Sequence, residues 1–387
     1  MTSPPAGSGQ DRAPRRVSTL ELFFDLVFVF TITQLTSLIA SDGVTPAGAL
    51  RALLVFGVLW WIYGGYVWLT NTRTPSSTPE RILLLLGMAG FLVIGMAIPD
   101  AFSRRADGIA IGLGYLLVVA VHAGLYLRVN RNIVRVLPVN GGAAVLVIVA
   151  GITGGAAAYW LWATALALLV AAPYLLAPQA RFRIGPAHFV ERHSSVIIIA
   201  LGESVADIGL GAAGHPLTAA AIVSAVLGLA LAALLWWAYF GVSDDEEAEA
   251  AFNRTGEAGR SQLALTAYFY SYIPMLLGIV VLAAGIKVAM RHPASTLPYL
   301  PCLALASGVA LYLAGDLMFR RAIGRPFSRY RAAAALGCLA LWFTGVTAGS
   351  AAEIALLALV LAAALALEQR TGDSQTARPA APGSVEP

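Results

Sequence analysis

Two stretches hold ionisable side chains where an apolar helix would normally exclude them. In "STLELFFDLVFVFTIT" (18–33), Glu21 and Asp25 stand one helical turn apart inside a hydrophobic run. In "HFVERHSSVIIIALGESVADIG" (188–209), Glu191, Arg192 and His193 lead into Glu203, Ser204 and Asp207. At about 100° per residue, Ser18, Glu21, Asp25, Ile32 and Thr36 make one stripe. His193, Ala200, Glu203, Ser204, Asp207 and Gly211 make another, with Ile198, Leu201, Val205 and Ile208 opposite. Carboxylates at membrane depth are costly unless paired or wetted, so each stripe should face a bundle interior or a water-filled path. The chemistry open to such groups is binding and release of protons or cations.

The elements that position them follow from composition. The 387 residues are 58% hydrophobic and 12% charged, the mean hydropathy is +0.76, and apolar stretches of bilayer-crossing length recur. The reading is an all-α polytopic membrane protein. The net charge of +4 comes from arginines between apolar runs, which act as orientation signals and leave no case for nucleic acid. Cys302 and Cys338 each lie inside an apolar run and support neither a disulfide framework nor a thiolate metal site.

Twelve spans are expected, near 19–39, 47–69, 81–99, 108–128, 137–154, 157–177, 189–211, 217–241, 262–286, 297–319, 331–348 and 350–367. Residues 1–17 and 368–387 read as disordered cytoplasmic tails, and no cleavable signal peptide is visible. With both tails inside, about 20 of the 25 basic residues fall in inner segments. The localisation expected is a bacterial cytoplasmic (inner) membrane.

The halves echo each other. "LWWIYGGYVW" (Trp60, Trp61, Tyr63) ends the second span and "LWWAYFGVS" (Trp236, Trp237, Tyr239) the eighth. "AGLYLRVNR" (Tyr126, Arg128) and "ALYLAGDLMFRR" (Tyr312, Arg320) are likewise six spans apart. The expectation is two parallel six-helix repeats, 18–178 and 179–367, related by an axis along the membrane normal. Helices 1 and 7 are then equivalents, and Glu21 or Asp25 should reach Arg192 or His193.

Enzyme readings fail on geometry. His188, Glu191 and His193 lie about 300° and then about 200° apart around a helix, so the two histidines cannot share a face as zinc ligands. Ser204 has no nucleophile-elbow context, and no phosphate loop or nucleotide fingerprint occurs. No cofactor or metal is implied. Several residues also carry plain structural readings. Glu21 suits a helix N-terminus, Asp25 a buried clamp, and Glu191, Arg192 and His193 ion pairing at the inner surface. His122 and Asp316 are lone polar residues.

The motifs "ELFFDLVFVFTITQL", "WWIYGGYVWLTN", "ERHSSVIIIALGESV", "WWAYF" and "LYLAGDLMFRR" resemble, in order, the low temperature requirement protein A family of bacterial membrane proteins. The likeness runs from about Leu20 to Arg321. This chain departs from the family pattern at Ser194 and Ser195, and at Tyr272, where the family often has His. The first helix also resembles that of the endosomal and lysosomal potassium-channel family, with Phe24 in place of a Ser. That second resemblance implies that Asp25 anchors helix packing and that Ile32 belongs to an apolar constriction.

The combined expectation is a cation channel or a carboxylate-coupled secondary transporter, with helices 1 and 7 lining the route. Glu21, Asp25, Ile32, Glu203, Ser204 and Asp207 would form its pathway. Partners are a small ion or solute, the lipid bilayer and, as an open class, a second copy of the chain. The alternatives are a non-transporting sensor or assembly factor linked to growth at low temperature and, further off, an intramembrane enzyme. Polar faces that are dry and fully paired would favour the sensor.

Overall fold

Local chemistry marks where the helices begin. Ser18 and Glu21 form a reciprocal capping box, as do Ser77 and Glu80, so the first backbone N–H groups are satisfied by side chains. Thr45 and Thr218 cap two further helices. In the computed structural model, which describes residues 16–41, 44–73, 75–128, 133–176, 184–241, 244–293 and 295–376, these starts open a wholly helical bundle.

The elements are α1 (Thr19–Ala40), α2 (Pro46–Thr72), α3 (Thr78–Ala97), α4 (Arg105–Leu127), α5 (Ile133–Thr153), α6 (Gly155–Leu176), α7 (Pro186–Ala212), α8 (Ala219–Phe240), α9 (Asp244–Arg254), α10 (Glu257–Ala264), α11 (Tyr272–Arg291), α12 (Tyr299–Ala322), α13 (Arg329–Ala340), α14 (Trp342–Thr347) and α15 (Ser350–Thr376). A π-helical stretch, Leu265–Tyr270, joins α10 to α11. Among the described residues, eleven helical stretches are long and apolar enough to cross a membrane.

The span expected at 331–348 is instead two short helices, α13 and α14, that break at Leu341. The tail expected from 368 is partly helix, because α15 continues to Thr376 and Glu368 is held by Arg320 and Arg331. Residues 1–15 and 377–387 lie outside the described residues.

Helix neighbours recur in the same order. In the first half α1 packs on α2 and α3, α3 on α4, α4 on α5, α5 on α6 and α6 on α2. In the second, α7 packs on α8 and α11, α11 on α12, α12 on α13 and α14, these on α15, and α15 on α8. Glycine allows the closest approaches. A Cβ at Gly308 of α12 would stand 2.6 Å from the Leu282 backbone nitrogen of α11, so only hydrogen fits there.

Between the halves, α1, α2, α7 and α11 converge. Trp60 lies at their centre, stacked against Phe56, Tyr63 and Tyr272. Its indole Nε1 donates to the Phe269 carbonyl at 3.0 Å, inside the π-helical stretch. A π-bulge frees carbonyls from the α pattern, and the tryptophan bonds to one of the carbonyls in that stretch.

Candidate functional site

We call the end of the bundle where α1 starts basal and the other end apical. The basal end holds a buried ionic cluster. The capping box turns Glu21 inward: Ser18 donates to Glu21 Oε2 from its backbone N–H (2.8 Å) and from its hydroxyl (2.7 Å). One turn on, Asp25 Oδ1 accepts from the Tyr63 hydroxyl at 2.8 Å. Between the two acids lies Arg192 of α7, 3.0 Å from Asp25 and 3.4 Å from Glu21. It also donates to the Thr70 hydroxyl, and its guanidinium carbon stands 5.7 Å from the Phe24 ring centroid. Glu21, Asp25 and Arg192 are fully buried.

The cluster includes His188. Its Nε2 is 3.2 Å from Glu21, and its Nδ1 is 3.2 Å from the Asn71 amide nitrogen. Asn71 exchanges two hydrogen bonds with the Gly185 backbone, which fix the amide orientation. The Asn71 NH2 therefore donates to Nδ1, and the histidine presents Nε2–H to Glu21. Two carboxylates thus face one guanidinium, and among the described residues Asp25 Oδ2 has no hydrogen-bond partner.

A second cluster lies towards the apical end of the same helices. Lys287 of α11 reaches Asp207 of α7 at 2.9 Å and donates to the Ser37 hydroxyl of α1 at 3.1 Å. Glu203, one turn before Asp207, meets the Thr33 hydroxyl and lies in the field of Asp207 and Lys287. Among the described residues its Oε1 is sealed without a partner, as are the Ser204 hydroxyl and Asp207 Oδ2. Glu203 is nonetheless half-buried. Arg192 and Glu203 are separated by about 16 Å along α7, at 1.5 Å per residue. Phe28, Ile32, Trp60, Ile197, Ala200 and Leu201, all buried, occupy the intervening layer.

The expected residues therefore divide. Glu21, Asp25 and Arg192 meet, and Glu203, Ser204 and Asp207 share the apical half of α7. Ile32 is buried in the apolar layer. Among the described residues, His193 enters no ion pair. Its Nδ1–H donates to Phe189 O in its own helix at 2.8 Å, and its ring packs among Tyr268, Tyr272 and Trp60. Glu191 is exposed, and its carboxylate accepts the Val17 N–H at 3.2 Å without an ion pair among the described residues. Leu201 and Ile208, read as the opposite face, are buried too, since α7 is packed by α1, α8 and α11.

A third cluster had no counterpart in the expectation. At the basal end of the second half, Arg331 bonds Asp316 (2.5 Å) and Glu368 (2.8 Å). Arg320 and Arg325 bond Asp244, at 2.9 and 3.2 Å. Asp316 is thus not a lone polar residue: "GDLMFRR" puts cations near it in sequence, but its partner comes from α13. Among the described residues, no group of three or more His, Cys, Asp and Glu side chains is placed to hold a metal ion.

The family model described as bacterial low temperature requirement A protein (LtrA) matches residues 16–367. The chain is also similar to an uncharacterized protein of Rhizobium meliloti (strain 1021), 28% identical over 340 residues, covering 81% of this chain and 80% of that protein.

Proposed function

The chain belongs to the bacterial low temperature requirement A family, and from that premise we propose that it is a carboxylate-coupled secondary transporter of a small cation in the cytoplasmic membrane. The observation that carries this reading is Glu203. It is a half-buried acid deep in α7, beside a lysine–aspartate pair, with one oxygen sealed and unbonded. A purely structural acid at that depth would be expected to have its oxygens paired. Here protonation and cation binding can compete at one carboxylate, and that competition is what coupling requires.

The apolar layer of Phe28, Ile32, Trp60 and Leu201 separates this cluster from the basal one. It favours a carrier, which opens to one side at a time, over a continuously open channel. The arginine distribution supports a cytoplasmic basal end and cytoplasmic termini. The recurring helix order supports descent from a duplicated unit, with α1–α6 matched to α7–α15. One observation favours the sensor reading. The basal cluster is fully buried, and nearly all its polar atoms are bonded, as expected of a clamp.

Purified protein in liposomes, assayed for proton, sodium and potassium flux, tests the proposal. Glu203→Gln keeps the side-chain shape and should fold, yet abolish the pH dependence of flux. A folded Glu203→Gln protein with wild-type flux and pH response would overturn the reading.

A further inference from the structure

A different carboxyl stands apart from the fully buried acids of the three ionic clusters. Glu353, in the first turn of α15, is fully buried, and apart from the Cys302 thiol neither of its oxygens has a hydrogen-bond partner among the described residues. Glu21, Asp25, Asp207, Asp244, Asp316 and Glu368 each have a cationic side chain within ion-pair distance. Glu353 has none among the described residues.

Its surroundings are built closely around it. On one side is Gly345 of α14, where a Cβ would overlap Glu353 Oε2. On another is the Cys302 thiol of α12, the titratable group that faces the carboxyl. The nearby Ser350 hydroxyl is also buried and unbonded. The segment pressing on the carboxyl is the short piece beyond the α13–α14 break. It is tied down where Leu297 N–H donates to Gly345 O at 3.2 Å and Ser350 N–H donates to Ser295 O at 3.0 Å.

The other elements packed on α15 bring no compensating charge. Arg320 of α12 and Arg331 of α13 bond Glu368. That residue is fifteen positions along α15, about 22 Å away at 1.5 Å per residue. The sequence of α8 contains no Lys, Arg, His, Asp or Glu, nor does that of α14. A bare carboxylate sealed in apolar surroundings without a cation is prohibitively costly. An alkali or alkaline-earth ion would need a cage of oxygens, whereas here a thiol and a glycine lie against the group.

We propose that Glu353 is a proton-binding site, seated against the broken α13–α14 segment near the apical end, whose carboxyl carries a proton at neutral pH. No bond other than O–H forms or breaks, and water at the apical surface supplies and accepts the proton. The site is separate from Glu203 and does not rest on the transport reading.

Infrared spectroscopy of the full-length protein in lipid at neutral pH tests it without any flux assay. The wild type should show a protonated-carboxyl C=O band that Glu353→Gln lacks. Glu353→Gln should also keep the unfolding temperature of the wild type, because an amide reproduces a neutral carboxyl. Cys302→Ala leaves the carboxyl in place but changes its neighbour, so it should shift the frequency of the same band. That variant keeps the test alive if Glu353→Gln fails to fold. A band unchanged by Glu353→Gln, a band unshifted in Cys302→Ala, or stabilisation of the wild type by sodium or potassium that Glu353→Gln abolishes would each overturn the proposal.

Discussion

Removing Arg192 isolates what the basal cluster contributes. Arg192→Met keeps much of the volume and the apolar stem but leaves Glu21 and Asp25, both fully buried, facing each other without a guanidinium. Breaking a buried ion pair by deleting one partner costs about 3–5 kcal/mol, chiefly because the survivors are left uncompensated. The hydrogen bond to Thr70 adds less, about 0.6 kcal/mol for an average interhelical bond in lipid. The folded-to-unfolded ratio should therefore fall by roughly two to four powers of ten, at about 1.4 kcal/mol per decade. Asp25→Asn should be milder, since it removes the excess acid and leaves Glu21 matched to Arg192. The triple variant Glu21→Gln, Asp25→Asn, Arg192→Met should return to within about 1 kcal/mol of wild type, because an uncharged interior is often as stable as an ionic one. Reversible unfolding by sodium dodecyl sulfate in mixed micelles measures all three. A triple variant as unstable as Arg192→Met would show that Arg192 acts through packing and would refute the electrostatic reasoning.

Two further predictions concern packing. Gly308→Ala drives a methyl into the α11 backbone at Leu282 and should cost about 1–3 kcal/mol. Gly202→Ala, in α7 with nothing within 4 Å of its Cβ position, should be neutral or gain up to about 1 kcal/mol from helix propensity. Thermal unfolding separates them, and equal effects would deny the close approach of α11 and α12. Trp60→Phe should lose the bond to Phe269 O, destabilising by about 0.5–1.5 kcal/mol. Native-state hydrogen exchange at the Leu265–Tyr270 stretch should rise with it; unchanged protection would mean that the indole does not hold that stretch.

Class, most span positions and the meeting of Arg192 with Glu21 and Asp25 were readable because burying charge in lipid leaves few solutions. The rest of the basal cluster was hidden by ambiguity of residue type. Tyr63, Thr70 and Asn71 sit in a Trp- and Tyr-rich helix end, which is also what an interfacial anchor looks like. His188 was weighed only against His193, on its own helix, whereas its partner is on α1. The burial of Leu201 and Ile208 was missed because a helical wheel shows one polar stripe, while α7 has neighbours on three sides. The α13–α14 break had no proline to mark it, and apolar composition alone does not distinguish a continuous span from two short helices.

The proposed duplication sharpens when contacts rather than motifs set the register. Gly90 lies against Gly114 O and the Val118 nitrogen, and Gly278 lies against Gly308 O and the Tyr312 nitrogen. Matching these close approaches equates Val118 with Tyr312, so the two "LYL" motifs are not equivalents and their apparent pairing is displaced by two helical turns. The same register brings His122 opposite Asp316, giving the two lone polar residues one common position. In the second half Asp316 pairs with Arg331; in the first, His122 is buried beside the Gly65 backbone with no ionic partner among the described residues. Tyrosine contacts set α1 against α7 in the same way. Tyr63 donates to Asp25, and Tyr239 bonds Ser194 at 3.2 Å, so Asp25 corresponds to Ser194. Under the proposed duplication, the second unit would carry a hydroxyl where the first carries an acid, and would contribute Arg192 two residues earlier. If the halves descend from one unit, an ionic clamp between them requires such divergence, because identical acids at that position would repel across the interface.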